Sequence, residues 1–432
     1  MKRQLLLVLL IILCHLLEAQ KLRQYKTLDY MATITKESPF DKSSSQFERD
    51  LNQSLKFIDH DDYTIPVVFH ILYSNDEEKI SKSRIANQLK ILNEDFSLET
   101  PGFTRESEAE KIKKRVQNYY DAAGDVRVRF CTPSWDPENH FTDGIVYFPS
   151  SQEIWKDYNT MKEQKQGSLP WDPERYLNIW ICRLDDDNSG YAQMPFGPSK
   201  WDGIVIDYRY FGTGEDVKAP YDEGHTLTHL VGNYLGLYPL WGPYPCGDDY
   251  VDDTPIHNAP NHRCPDDTHY SLCEGNPVEM TMNFMDNTYD VCLSMFTKGQ
   301  RNRIQKVLHE KGPRGKLPFT PTLCSEWIVY DPETNWIVEE EGEFNSPAVL
   351  SVRPNPADQR IWVSYIPSEL DKPADSFILQ IFSVNGHMVL SERTGGGVLN
   401  KQLDVSRWSP GLYIMRLSDG STIHTHRFIV QE

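Results

Sequence analysis

Residues 223–242 read EGHTLTHLVGNYLGLYPLWG. As a helix, which repeats its face about every 3.6 residues, this stretch points side chains four apart in one direction, the geometry by which two histidines hold one metal. His229 and Asn233 share such a face, and His225 with His229 makes a second i, i+4 pair. An amide is a poor zinc ligand. One imidazole in that frame cannot hold zinc tightly. In the shifted frame Thr226 stands where a base is needed. The plainer reading makes His225 an exposed helix residue and leaves the downstream His257, His262 and His269 solvated.

Outward from this helix, apolar runs alternate with helical spacing. Ile65, Val67, Val68, Phe69, Ile71 and Leu72 form a buried-strand pattern, and residues 81–96 follow helical spacing through Ile85, Leu89 and Leu92. Further strands are read at 126–131, 144–148, 176–184 and 203–207. The mixture predicts an α/β (α+β) domain over residues 63–310. Residues 21–62 are polar and read as a pro-segment or loosely attached arm able to hold little core. Residues 311–348, with the acidic run Glu339, Glu340 and Glu341, form a linker. In residues 349–432 helical spacing disappears, and about six or seven short β runs, separated by turn signals such as Asn385-Gly386 and Asp419-Gly420, predict an all-β sandwich.

The chain has 432 residues, with 44 Lys+Arg against 63 Asp+Glu for a net charge of −19, which argues against a phosphate-binding surface and against nucleic acid as a partner. Residues 1–20 place two basic residues before an apolar run and end near the small Ala19, the order of a secretory signal. No later stretch approaches the about 18 apolar residues of a membrane span. Cys14 belongs to the leader. Cys246, Cys264, Cys273 and Cys292 share one stretch rich in Asp, Pro, Asn and His, where disulfides pinning a loop are the default for an exported protein and a zinc knot is the alternative. Cys131 and Cys182 lie in predicted strands, to pair with each other or remain buried thiols; Cys324, in the linker, has no reading. Asp248, Asp249, Asp252 and Asp253 beside Thr254 offer hard oxygen ligands suited to calcium, against the plainer reading of a solvated acidic loop.

Laid on the pattern H-E-x-x-H-x-x-G-x-x-H, residues 229–239 resemble the active-site helix of pappalysin-type metalloproteases of the metzincin clan. His229 falls on the first zinc histidine and Gly236 on the glycine of the turn. Leu230 stands at the general-base glutamate, Asn233 at the second histidine and Pro239 at the third. The resemblance covers roughly residues 63–308, through YTIPVVFHILY (63–73), YLNIWICRL (176–184), GYAQMP (190–195) and NFMDNTYDVCLSMFTKGQR (283–301). In it Met285 falls on the methionine of the turn beneath the metal, and Asn287 stands where the family has a tyrosine that assists the transition state. Related precursors carry an Arg-Cys-Gly-Thr element whose cysteine caps the zinc; the comparable Gln24-Tyr25-Lys26-Thr27 has no cysteine. The resemblance further implies disulfides Cys246–Cys273 and Cys264–Cys292 and calcium near Asp249, Asp252, Asp253 and Thr254. It also implies a cleft strand, Gly190, Tyr191, Ala192 and Gln193, that can pair with an extended peptide.

Arg353-Pro354-Asn355-Pro356, Pro410-Gly411-Leu412-Tyr413 and Arg427-Phe428-Ile429-Val430 resemble the type IX secretion sorting domain of Bacteroidota. That implies the secretion machinery as a partner and delivery through the periplasm to the outer-membrane surface or beyond. The expectation is a secreted or cell-surface pseudopeptidase without catalytic zinc, with calcium open as a cofactor and a peptide or protein as ligand. The alternatives are an active zinc metalloendopeptidase with non-standard ligands and a purely structural surface component.

Overall fold

A computed structural model describes residues 22–35, 62–100, 119–133, 136–138, 142–214, 216–265, 269–319 and 324, and in the C-terminal part 329–331, 336–338, 349–353, 357, 359–366, 376–383, 387–395, 399–418 and 423–431. The leader, residues 36–61, the acidic run 339–341 and the turns Asn385-Gly386 and Asp419-Gly420 lie outside the described residues. The chain forms two compact units, Met1–Glu326 and Trp327–Glu432. Among the described residues no helix is long and apolar enough to cross a membrane.

The first unit is built on β1 (Tyr63–Tyr73), β2 (Val128–Cys131), β3 (Ile145–Pro149), β4 (Leu177–Cys182), β5 (Gly190–Ala192) and β6 (Ile204–Asp207), in the order β2-β1-β4-β6-β5 with β3 also on β1. All pairings are parallel except β5 against β6. Parallel strands are covered on both faces and so read as continuous apolar runs; β4 and β6 are buried at every residue. Among the described residues four α-helices accompany the sheet: α1 (Thr27–Thr35), α2 (Lys82–Phe96), α3 (His225–Tyr234) and α4 (Lys298–Leu308). Alternate residues divide the two faces. Ile65, Val67, Phe69 and Ile71 of β1 share a core with Leu92, Leu227 and Ile304 of the helices α2, α3 and α4. On the other face Leu72, Trp180, Cys182 and Val205 pack with Tyr191 and with Tyr30 of α1.

Three sequence expectations change here. The N-terminal arm does hold core, since Arg23 and Tyr30 are fully buried and Met31 nearly so; its polar side chains find partners inside the unit. Cys131 neither pairs with Cys182 nor stays a thiol. It is bonded to Cys324, and Cys182 is a free, buried thiol. The packed unit also continues past residue 310, where Leu317 is buried and the Arg314 guanidinium reaches both carboxylate oxygens of Asp202.

In the second unit β7 (Val329–Asp331) and β8 (Trp336–Val338) form a two-stranded ribbon. β9 (Val349–Arg353), β10 (Arg360–Ile366), β11 (Ser376–Ser383), β12 (Met388–Gly395), β13 (Leu399–Asp404), β14 (Gly411–Ser418) and β15 (Ile423–Val430) form two antiparallel sheets, β13-β10-β9 and β12-β11-β14-β15. Every second residue, such as Ile361 and Val363, Leu379 and Ile381, or Met415 and Leu417, enters one shared core, as expected for a sandwich.

Candidate functional site

Helix α3 owes its position to both of its ends. At its N-terminus, where the first backbone N–H groups have no partner within the helix, one Asp290 carboxylate oxygen accepts from the backbone N–H of Glu223 and of His225. At its C-terminus Gly236, with φ +93°, takes the left-handed conformation. The Leu237 N–H returns to Gly232 O and the Gly236 N–H to Asn233 O, the double bond pattern that closes a helix on a glycine. Gly232 sits so close to the Met285 sulfur that a β-carbon there would collide with it. Met285 is itself fixed by its N–H on the Asn283 side chain. His229 Nδ1 is 2.9 Å from Phe284 O in the same turn, while its Nε2 has no hydrogen-bond partner among the described residues. Burial, and then the nearby Arg23 guanidinium, depress its pKa to about 3, so the ring is neutral.

The N-terminal arm lies on this helix. Tyr25, which the resemblance sets at the latency cysteine, stacks on the His229 ring with centroids 3.8 Å apart and planes 5° from parallel. Arg23 donates Nη1 to Asp290 at 2.6 Å and to Thr226 at 3.1 Å, Nε to Asn287 at 3.1 Å and Nη2 to Thr288 O at 3.0 Å. The Tyr221 ring lies 4.5 Å from the guanidinium. Asn287 also donates its amide back to Arg23 O. Thr27 donates its hydroxyl to Asn233 Oδ1, and the Asn233 amide donates to Leu237 O. Arm and cleft strand are joined by Lys26 N–H to Gly190 O, Ser189 N–H to Gln24 O and Ala192 N–H to the Thr27 hydroxyl. The edge of β5 is therefore taken by the chain's own residues.

Of the sequence candidates, His229, Asn233, Leu230 and Pro239 stay on or beside α3. Leu230 is fully buried and lies against Gly190. Tyr191, Ala192 and Gln193 are buried as well. Sequence reading missed Arg23, which stands one residue before the compared stretch, together with its partners Asp290 and Thr226. An unpaired basic residue in a polar arm gives no sign of burial.

The expected exposure of His225 is wrong. The ring is buried with Nδ1 2.8 Å from Asp95, whose carboxylate also accepts from the Thr228 hydroxyl. Burial opposes its charge, but the Asp95 carboxylate prevails and raises the pKa to about 9. A group whose folded pKa exceeds its unfolded value contributes stability below the unfolded value and loses it as pH rises through the folded one. The stability advantage of the wild type over His225→Gln is expected to be full below about pH 6.5 and to shrink, by up to a few kcal/mol, toward about pH 9. Urea unfolding across that range checks it; a difference that is flat with pH would contradict it.

His257 is also buried rather than solvated. Its Nε2 accepts from Met280 N–H, and its Nδ1 lies 3.7 Å from Asp286 and 3.8 Å from Glu279. His262 and His269 are exposed. Cys246 is bonded to Cys273 and Cys264 to Cys292. In the acidic loop, Asp249 accepts from the Thr254 hydroxyl and Val251 N–H, and burial raises its pKa to about 7. Asp253 accepts from the Thr297 hydroxyl and Gly299 N–H at the start of α4, and Asp252 is exposed. Among the described residues no three His, Cys, Asp or Glu side chains are grouped to hold a metal.

Residues 160–309 match the peptidase family described as pregnancy-associated plasma protein-A, and residues 351–431 match the secretion system C-terminal sorting domain. An extracellular metalloprotease of Arthroderma benhamiae is 26% identical over 277 residues, 62% of this chain and 81% of that protein. Extracellular metalloprotease 1 of Coccidioides posadasii is 39% identical over 254 residues, 56% of this chain and 76% of that protein. Among solved structures, a promirolysin mutant from Tannerella forsythia aligns with a TM-score of 0.63 at 31% identity, covering 70% of this chain and all of its own. Mature mirolysin in complex with a cleaved peptide aligns with a TM-score of 0.57 at 34% identity, covering 62% of this chain and 99% of its own.

Proposed function

Since the chain belongs to the pappalysin family of metzincin metalloproteases and carries a type IX sorting domain that sends it to the cell surface or beyond, we propose that it is an exported pseudopeptidase whose former metal site is filled by its own N-terminal arm. A zinc ion does not fit the residues present. At the three ligand positions only His229 offers a donor atom without a partner among the described residues, its Nε2; both ends of the Asn233 amide are engaged, and Pro239 has none to give. Leu230 puts a methyl group where a proton acceptor is needed to activate water. The observation that carries the reading is Arg23. A fully buried guanidinium paired with Asp290 lies near enough to His229 to help hold its imidazole neutral, so a metal dication on that ring would sit close to a buried positive charge. No step of peptide hydrolysis can be derived for this arrangement. Calcium at the acidic loop, if bound, would share the Asp249 and Asp253 carboxylates with the hydrogen bonds they already accept and would serve structure only.

The purified secreted protein is expected to leave casein and mixed peptide libraries uncut, with or without added zinc. Cleavage that a chelator stops and that His229→Ala abolishes would instead establish the active-protease alternative.

A further inference from the structure

Two polar side chains inside the central sheet serve no group of the site around α3. His70 of β1 and Asn178 of β4 are buried, and burial lowers the His70 pKa to about 4, so its ring is neutral. Asn178 donates Nδ2 to Trp171 O at 2.9 Å, which orients the amide; its Oδ1 accepts from Trp171 N–H at 2.7 Å and from His70 Nε2 at 3.0 Å. The neutral ring therefore accepts at Nδ1 from the Ser168 hydroxyl, 2.7 Å away. Ser168 O in turn accepts from the Trp180 indole N–H. A buried polar network with its members paired is rigid, and this one fixes residues 168–171 as the wall of a cavity.

The cavity, about 430 Å³, has Phe148, Leu169 and Trp171 among its lining residues, together with Glu138 and Asp172. Trp171 meets Tyr176 edge to face, with ring centroids 5.1 Å apart. Burial first, then Asp136, Asp172 and Glu138 against the opposing Arg175, raise the Tyr176 hydroxyl pKa to about 12, so three carboxylates and one guanidinium gather near this aromatic pair. Among the described residues no basic side chain lines the cavity, and neither Glu138 nor Asp172 has an ion-pair partner. Negative charge beside aromatic rings selects a cation with an apolar stem, which is the chemistry of lysine and arginine. An anion is repelled there.

We propose that this cavity binds a lysine or arginine side chain of a basic peptide, the aromatic residues covering its stem and Glu138 and Asp172 holding its charge. The volume lies in the range of small-ligand clefts, and the wall is set before the ligand arrives.

The test titrates the purified secreted chain into fluorescein-labelled hexaarginine at physiological salt and reads fluorescence anisotropy. The whole chain carries a charge of −19, so the control must match in charge. Glu138→Gln with Asp172→Asn is expected to weaken saturable binding about tenfold. Asp76→Asn with Glu77→Gln should change it less than about twofold. All four of these side chains are exposed, so neither pair of changes puts folding at stake. Equal weakening by the two pairs, or no saturable binding to the wild type, would overturn the proposal. Saturable binding of cellohexaose without binding of hexaarginine would overturn it too, and would make the cavity a sugar site.

Discussion

Asp290→Ala is expected to destabilise the N-terminal unit by roughly 3–5 kcal/mol in urea unfolding, the usual cost of stranding one member of a buried ion pair. Both side chains are inaccessible to solvent and 2.6 Å apart, so removing the carboxylate leaves a guanidinium that water cannot reach. The loss has a second source, because Asp290 also accepts from the N–H groups of Glu223 and His225 at the start of α3. The variants separate the two contributions. Asp290→Asn keeps an acceptor for the helix but not the charge, and combining it with Arg23→Met is expected to recover most of the loss, since a buried pair exchanged for apolar packing is often close to neutral. A cost below about 1 kcal/mol for Asp290→Ala would mean that Arg23 is not buried against it in solution.

The second large effect concerns metal capture. A chain with Leu230→Glu, Asn233→His and Pro239→His is expected to bind no zinc while Arg23 and Tyr25 are native, and to bind about one per chain once Arg23→Ala and Tyr25→Ser are added. The surrounding frame is intact: the Gly236 turn, the Met285 contact under Gly232 and the His229 Nδ1 bond to Phe284 O are all in place. What stands against the metal is the arm. A dication beside a buried guanidinium is repelled by several kcal/mol at the dielectric of a protein interior, and the Tyr25 ring covers the imidazole. Restoring Leu230→Glu alone should add nothing but a buried carboxylate, because without a metal-bound water there is no acidic proton to take. Tight zinc binding by the triple variant with its arm unchanged would show that the arm is no obstacle. A folded variant with all five changes that stays zinc-free would show that α3 is wrongly aligned on the family's active site.

The parts of this molecule that were legible in the sequence are those set by local pattern. β1, β4 and β6 are buried on both faces, so each prints a mostly apolar run, interrupted by His70 in β1 and Asn178 in β4; the C-terminal strands print the two-residue alternation of a sandwich. The helix and its turn were readable through the resemblance to the family pattern, which sets His229 and Gly236 on its active-site helix and Met285, within Asn283-Phe284-Met285-Asp286, on its turn. Burial of polar groups was not legible, because it depends on partners far along the chain. Arg23 finds Asn287 and Asp290 at separations of 264 and 267 residues, His225 finds Asp95 130 residues away, and Cys131 meets Cys324 across 193. Nothing within a few residues of Arg23, His225 or Cys131 announces such a partner, so Arg23 went unread, His225 looked exposed, and Cys131 was read as pairing with Cys182 or staying a buried thiol.

The zinc content of the native, purified mature protein, equilibrated with excess zinc and then freed of loosely bound metal, bears most directly on the account. With His229 as the lone imidazole at the ligand positions and the Arg23 guanidinium buried nearby, elemental analysis should return essentially none. About one zinc per chain, lost on His229→Ala, would contradict it and restore a metalloprotease with unusual ligands.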